Sequence, residues 1–189
     1  MRYIKYFFQY VFILIFFLLF KILGPKKSSS LGGNLFEKIG PLFRSKNIIH
    51  TNMRRAFPNI NSNDLNKITR LMWNNYGRVF AEYLYMKNFR NGNLSKNISI
   101  EGEEILLNIK DQNQKVVFIS GHFSNFELMA MQIDKIGIKI GAIYRPLNNI
   151  FLNKFMERIR KKYICNNQIK KGIGGLKELI KLNNQGFST

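Results

Sequence analysis

Between Leu65 and Leu84 the apolar residues Leu65, Ile68, Leu71, Met72, Tyr76, Val79, Phe80, Tyr83 and Leu84 recur at steps of three and four, the stripe of an amphipathic helix. Ser62, Asn63 and Asp64 stand ahead of it as start signals, and Pro58 ends whatever precedes. Beyond the loop "RNGNLSKN" the pattern changes. "ISIEGEE" at 98–104 reads as a short strand or turn entering a helix, and "QKVVFIS" at 114–120 as a buried strand. "NFELMAMQIDKIG" at 125–137 reads as a helix with one apolar face, and "IKIGAIY" at 138–144 as a second strand. Together they predict a βαβ unit with a parallel strand pair. A helix over 150–163 follows "RPLNN", and another runs from Leu176 to about Leu182 after "KKGIGG". "NNQG" stops that helix where the alternation calls for a strand, and three residues remain.

The N-terminus has a different texture. "YFFQYVFILIFFLLF", Tyr6 to Phe20, holds one strongly polar residue, Gln9, and Ile22 and Leu23 extend it past Lys21. At ~1.5 Å per residue the stretch is marginal for a ~30 Å hydrocarbon core, with Lys5 and Lys21 placed to snorkel. Residues 1–24 are therefore read as a hydrophobic membrane anchor. The stretch "GPKKSSSLGG" gives a linker over 25–34, and 35–189 form the main domain. A cleaved signal peptide fits less well. Lys21, Lys26 and Lys27 separate the apolar run from any small-residue site, and no A-x-A pattern occurs. Lys21, Lys26, Lys27, Arg44 and Lys46 outnumber Arg2 and Lys5, which places the main domain on the cytoplasmic side.

The 189 residues suffice for one α/β core with an appendage. Lys and Arg total 30 against 11 acids, a formal charge of +19. Nucleic acid is thereby raised as a partner, but the charges are spread along the chain and would leave the apolar N-terminus unexplained. The single cysteine, Cys165, excludes an intrachain disulfide and a Cys/His zinc cluster and fits a reducing compartment. It is read as a small packing residue. His50 has no carboxylate or second histidine at ligand spacing, and Trp73 and Tyr76 fall near the apolar stripe of their helix.

The chemistry concentrates in "ISGHFSNFE", residues 119–127, between a predicted strand and the following helix. Ligands bind at that edge of open α/β sheets. His122 is suited to proton transfer near neutral pH, and a carboxylate such as Glu127 bonded to the second ring nitrogen would fix its tautomer. Gly121 permits close backbone approach, and the helix start at 124–126 offers N–H donors. A polar loop histidine and an acid in a first helical turn would look the same from spacing alone.

The wider context separates them. "SGHFSNFE" after an apolar strand, with "IYRPLNN" about twenty residues on, resembles the lipid A biosynthesis acyltransferases, the late lauroyl and myristoyl transferases of lipopolysaccharide assembly. "NIIHTNMRRAFPNI", "WNNYGRVFAEYLY" and "ISIEGEE" are similar to further segments of that family, as is the apolar N-terminus. The resemblance covers essentially the whole chain. It implies a glycerolipid-acyltransferase-like α/β domain behind an N-terminal anchor helix at the inner face of the inner membrane. It implies transfer of a fatty acyl group from acyl carrier protein to a hydroxyacyl chain of a lipid A precursor, without metal or cofactor. His122 would be the general base and Glu127 its orienting partner. The family's arginine in the helix after "RP" matches Arg160, counted without gaps, with Arg158 beside it. Arg145 is either structural or phosphate-facing, Asn149 belongs to the matching motif, and Asn125 is either a donor or a helix cap.

Family members continue past the last helix into a strand and an Asp-containing motif, so the α/β domain is expected to be incomplete at its C-terminus. Two other functions fit the same residues. One is another membrane glycerolipid or glycolipid acyltransferase, although glycerolipid enzymes commonly carry Asp at the acid position. The other is an inactive, membrane-associated basic fragment. The basic surface itself suits an acidic carrier protein, lipid phosphates and an anionic leaflet.

Overall fold

The computed structural model describes residues 2–189. Its elements are α1 (Arg2–Ile39), α2 (Lys46–Ala56), α3 (Ser62–Glu82), α4 (Met86–Asn91), α5 (Glu103–Asp111), α6 (Glu127–Ile136), β1 (Gly141–Tyr144), α7 (Ile150–Tyr163), β2 (Asn167–Lys170) and α8 (Ile173–Asn184). The class is mixed α/β, mostly helical, with an apolar N-terminal helix and a small parallel sheet. The chain divides into two compact units, residues 15–85 and residues 1–14 with 86–189.

In the unit of residues 15–85, α1 is broken at Gly24 (φ 77°, ψ 169°), immediately before Pro25. A proline has no N–H to continue the ladder. The carbonyls stranded there find side-chain donors: Ser28 Oγ donates to Phe20 O (2.5 Å) and lies 2.6 Å from Gly24 O, and Tyr85 OH donates to Phe20 O (2.5 Å). The stretch expected as a linker is helical, with Ser28, Ser29, Gly32 and Gly33 buried. The reason is α3: a Cβ on Gly77 would stand 2.0 Å from Gly32 O, so the two backbones meet at a pair of glycines. Phe80 packs on Phe17 and Phe36 at ring distances of 4.9 and 5.4 Å, and Ser29 Oγ donates to Glu82 at 2.8 Å. The α3 helix is capped one residue earlier than the predicted start signals, by Asn61 Oδ1 accepting from Asp64 N at 2.9 Å.

The other unit carries the sheet. The expected parallel pair of 114–120 with 138–144 is not formed. Instead β1 pairs in parallel with β2, through α7, in the register Gly141–Asn167 to Tyr144–Lys170. Ser188 and Thr189 occupy the place next to β1. Gly141 N donates to Ser188 O (2.9 Å) and Ser188 N to Lys139 O (2.8 Å), while Phe118 N donates to Thr189 O (2.7 Å) and Thr189 N to Val116 O (3.1 Å). Val116 and Phe118 are thus bonded to Thr189, and Val117 and Ile119 are 72% and 93% exposed. Under the sheet, Ile133, Ile138, Ile140 and Cys165 form a buried cluster with Leu106, Ile109 and Phe118 against it. Arg90 braces this unit, donating to Asp134 Oδ2 at 2.6 Å and to the carbonyls of Tyr163 and Ile164 at the end of α7.

The first residues of α1 also belong here, packing on the start of α7. Phe151 lies against Phe7 and Tyr10 at ring distances of 5.8 and 6.1 Å. Also on α1, Phe8, Phe12, Ile15, Leu18 and Ile22 are exposed. By length and composition α1 is long and apolar enough to cross a membrane.

Candidate active site

The loop after residue 120 turns into α6 through Ser124, whose positive φ of 45° is uncommon for a residue with a side chain. Glu127 is then the first residue of α6, with its negative charge at the positive end of the helix. The cap position of that helix is Phe126, without a side-chain bond, so Asn125 does not cap it. The imidazole of His122 is exposed and lies against the ring of Phe126, centroids 4.2 Å apart.

Glu127 is buried, and α7 supplies its cation. Arg160 Nε and Nη2 both donate to Glu127 Oε1, at 2.9 and 2.5 Å, with side chains 15% and 8% exposed. Burial pushes the Glu127 carboxyl above the usual carboxylate range, and the Arg160 charge and hydrogen bonds only partly offset that. The guanidinium also sits 5.4 Å from the centre of the Tyr144 ring, a cation–π distance. Tyr144 OH donates to Glu157 Oε2 at 3.1 Å; its pKa is raised by burial first and then by that acid. Lys161 holds Glu157 from the next turn at 3.1 Å, and keeps its carboxyl low.

Of the expected residues the structure thus joins Glu127 and Arg160 in a buried ion pair, while the contact it gives His122 is with Phe126. Asn149 is buried and its amide is taken up by the fold. Its Oδ1 accepts from Phe151 N and Leu152 N, each at 3.1 Å, and its Nδ2 donates to Tyr6 O at 2.8 Å and Gln9 Oε1 at 3.4 Å. It therefore caps α7 and ties it to α1. Arg145 and Arg158 are exposed. Tyr144 and Glu157 were missed as members of the cluster. The lone acid in "MERIRKK" was the available signal, since an acid one turn before a lysine reads as an i,i+4 pair. Among the described residues, no three His, Cys, Asp or Glu side chains converge as a metal-ligand group.

Such a site offers an exposed imidazole in the loop before α6 and a buried, cation-bound carboxylate at the start of that helix. The family model of bacterial lipid A biosynthesis acyltransferases matches residues 1–188. No curated protein and no solved structure matches the chain.

Proposed function

Because the chain belongs to the bacterial lipid A biosynthesis acyltransferase family, an acyltransferase family, we propose that it moves a fatty acyl group from acyl carrier protein to a hydroxyacyl chain of a lipid A precursor, with His122 as general base. The observation that carries this reading is the buried Glu127–Arg160 pair at the helix start that follows an exposed His122.

In this mechanism His122 takes the proton of the acceptor hydroxyl as its oxygen attacks the thioester carbonyl. The tetrahedral intermediate collapses with cleavage of the C–S bond, and the imidazolium returns the proton to the departing thiolate. The products are an ester and the free carrier thiol. Glu127 orients the imidazole, and Arg160, bonded to Glu127 Oε1, holds that carboxylate in place. Negative charge on the intermediate is favoured by the Arg160 guanidinium and by the positive end of α6. Arg145 and Arg158 are exposed cations available to an acidic carrier protein or to lipid phosphates, and Asn125 is a further donor beside the substrate. The apolar α1 anchors the enzyme in the inner membrane with the catalytic domain facing the cytoplasm, a reading supported by its exposed apolar side chains and by the basic residues that follow.

The test is acyl transfer from acyl carrier protein to a lipid A precursor in membranes containing the chain, compared with His122→Ala. Removal of a general base is expected to lower the rate by ~10²–10⁴-fold. Equal rates for both proteins would refute the assignment.

A further inference from the structure

The unit of residues 15–85 contains a cleft of about 460 Å³ that acyl transfer at His122 does not use. Pro41, Ile49 and Trp73 supply its apolar walls, and Arg44, Lys46 and Arg70 its cations. The one carboxylate in the lining, Glu37, is already spent. Arg70 Nη1 stands 3.3 Å from its Oε1, and Asn74 Nδ2 donates to its Oε2 at 3.0 Å. Arg44 and Lys46 make no ion pair among the described residues. The cleft therefore keeps two unneutralised positive charges beside an apolar wall.

Two further observations point to an occupant. Trp73 is 8% exposed, and its indole Nε1 is buried without a hydrogen-bond acceptor among the described residues. Buried N–H groups nearly always find an acceptor, and Trp73 lines the cleft, so a ligand oxygen that reached its indole would satisfy this one. At the rim, between the lining residues Pro41 and Arg44, Leu42 and Phe43 are 85% and 70% exposed. A small inorganic anion would satisfy Arg44 and Lys46 but would leave that apolar rim and wall uncovered.

We propose that this cleft, whose lining shares no residue with the acyl-transfer site, binds an anionic lipid. The charged headgroup sits on Arg44 and Lys46, and the ester-linked upper part of the chain lies along Pro41, Ile49 and Trp73. The volume lies within the range of pockets that take small organic ligands, ~300–1,000 Å³. Among amphiphiles the charge selects anionic over zwitterionic headgroups.

Trp73 is the only tryptophan, so intrinsic fluorescence reports from the cleft wall. The full chain in neutral maltoside micelles would be titrated with dioctanoyl phosphatidic acid, with dioctanoyl phosphatidylcholine, and with inorganic phosphate. A saturable change in emission is expected with phosphatidic acid alone. The double variant Arg44→Ala/Lys46→Ala removes two exposed side chains and is expected to weaken the response by about thirtyfold, with far-UV circular dichroism unchanged. An equal response to phosphatidylcholine would reduce the cleft to a general apolar surface. A matching response to inorganic phosphate would make it a free-anion site. An unaltered titration of the double variant would remove the cations from the binding. Each of these three results overturns the proposal, and none depends on whether His122 is the catalytic base.

Discussion

Replacing Arg160 by methionine keeps most of the side-chain bulk and removes the cation from Glu127. The carboxylate is left 7% exposed without the two donors that meet Oε1 at 2.9 and 2.5 Å. With the two side chains only 15% and 8% exposed, solvent screens the pair weakly. Breaking a buried pair from one side costs ~3–5 kcal/mol, and the partial exposure of Arg160 puts this case near ~3 kcal/mol. That is roughly a hundredfold shift in the folding equilibrium. The loss must also depend on pH. Burial already raises the Glu127 carboxyl in the folded state, so the folded protein binds that proton more tightly than the unfolded chain does. Stability from such a group is complete below its unfolded pKa and fades as pH rises through the raised folded value. Removing Arg160 lifts the folded value further. The variant should therefore be most destabilised near neutral pH and recover as the solution is acidified into the ordinary carboxylate range. Urea unfolding in detergent at about pH 7 and about pH 4 reads this directly. The companion Glu127→Gln/Arg160→Met, with no buried charge, should regain much of the loss at neutral pH. A loss of equal size at both pH values, or a double variant no better than the single one, would refute the ion-pair account.

Gly77→Ala drives a methyl to within 2.0 Å of Gly32 O and should cost ~1–3 kcal/mol by thermal unfolding. Gly174→Ala, in α8 with open space around it, should be neutral or stabilising by up to ~1 kcal/mol. Ser28→Ala removes the Oγ that serves Phe20 O and should lower stability by ~1–2 kcal/mol, measured the same way. Cys165 is 1% exposed and burial pushes its thiol up to about 11, so at pH 8 about one molecule in a thousand carries the thiolate. Iodoacetamide should leave it unmodified until urea unfolds the chain, and rapid labelling of the native protein would contradict that burial.

The elements that were legible share one property: their signal lies within the element itself. The α7 helix spans Ile150–Tyr163, the range predicted after "RPLNN", and its Asn149 cap is local. The parts that were not legible depend on a partner far along the chain. "GPKKSSSLGG" has the composition of a linker, yet Gly32 is small because Gly77 faces it, and Ser28 is polar because a carbonyl stranded by Pro25 needs a donor. "QKVVFIS" has the composition of a buried strand, but residues 188–189 pair with its middle while Val117 and Ile119 stay exposed. β2 escaped notice for the converse reason. Gln168 looks like a surface residue and is buried because its amide reaches Cys165 O at 3.0 Å.

The site divides along the same line. The identities and spacing of His122 and Glu127 were readable as chemistry, and the resemblance led to Arg160 thirty-three positions on. What spacing could not supply is that Glu127 is buried and bonded to that arginine. This matters for the mechanism, because a carboxylate already committed to a cation could serve only to fix α6 against α7. The two roles separate kinetically. If Glu127 orients the base, Glu127→Gln should lower kcat and shift the acid limb of the pH–rate profile, over and above the stability lost with the ion pair. If Glu127 only fixes the helices, the same substitution should leave the profile in place and change stability alone.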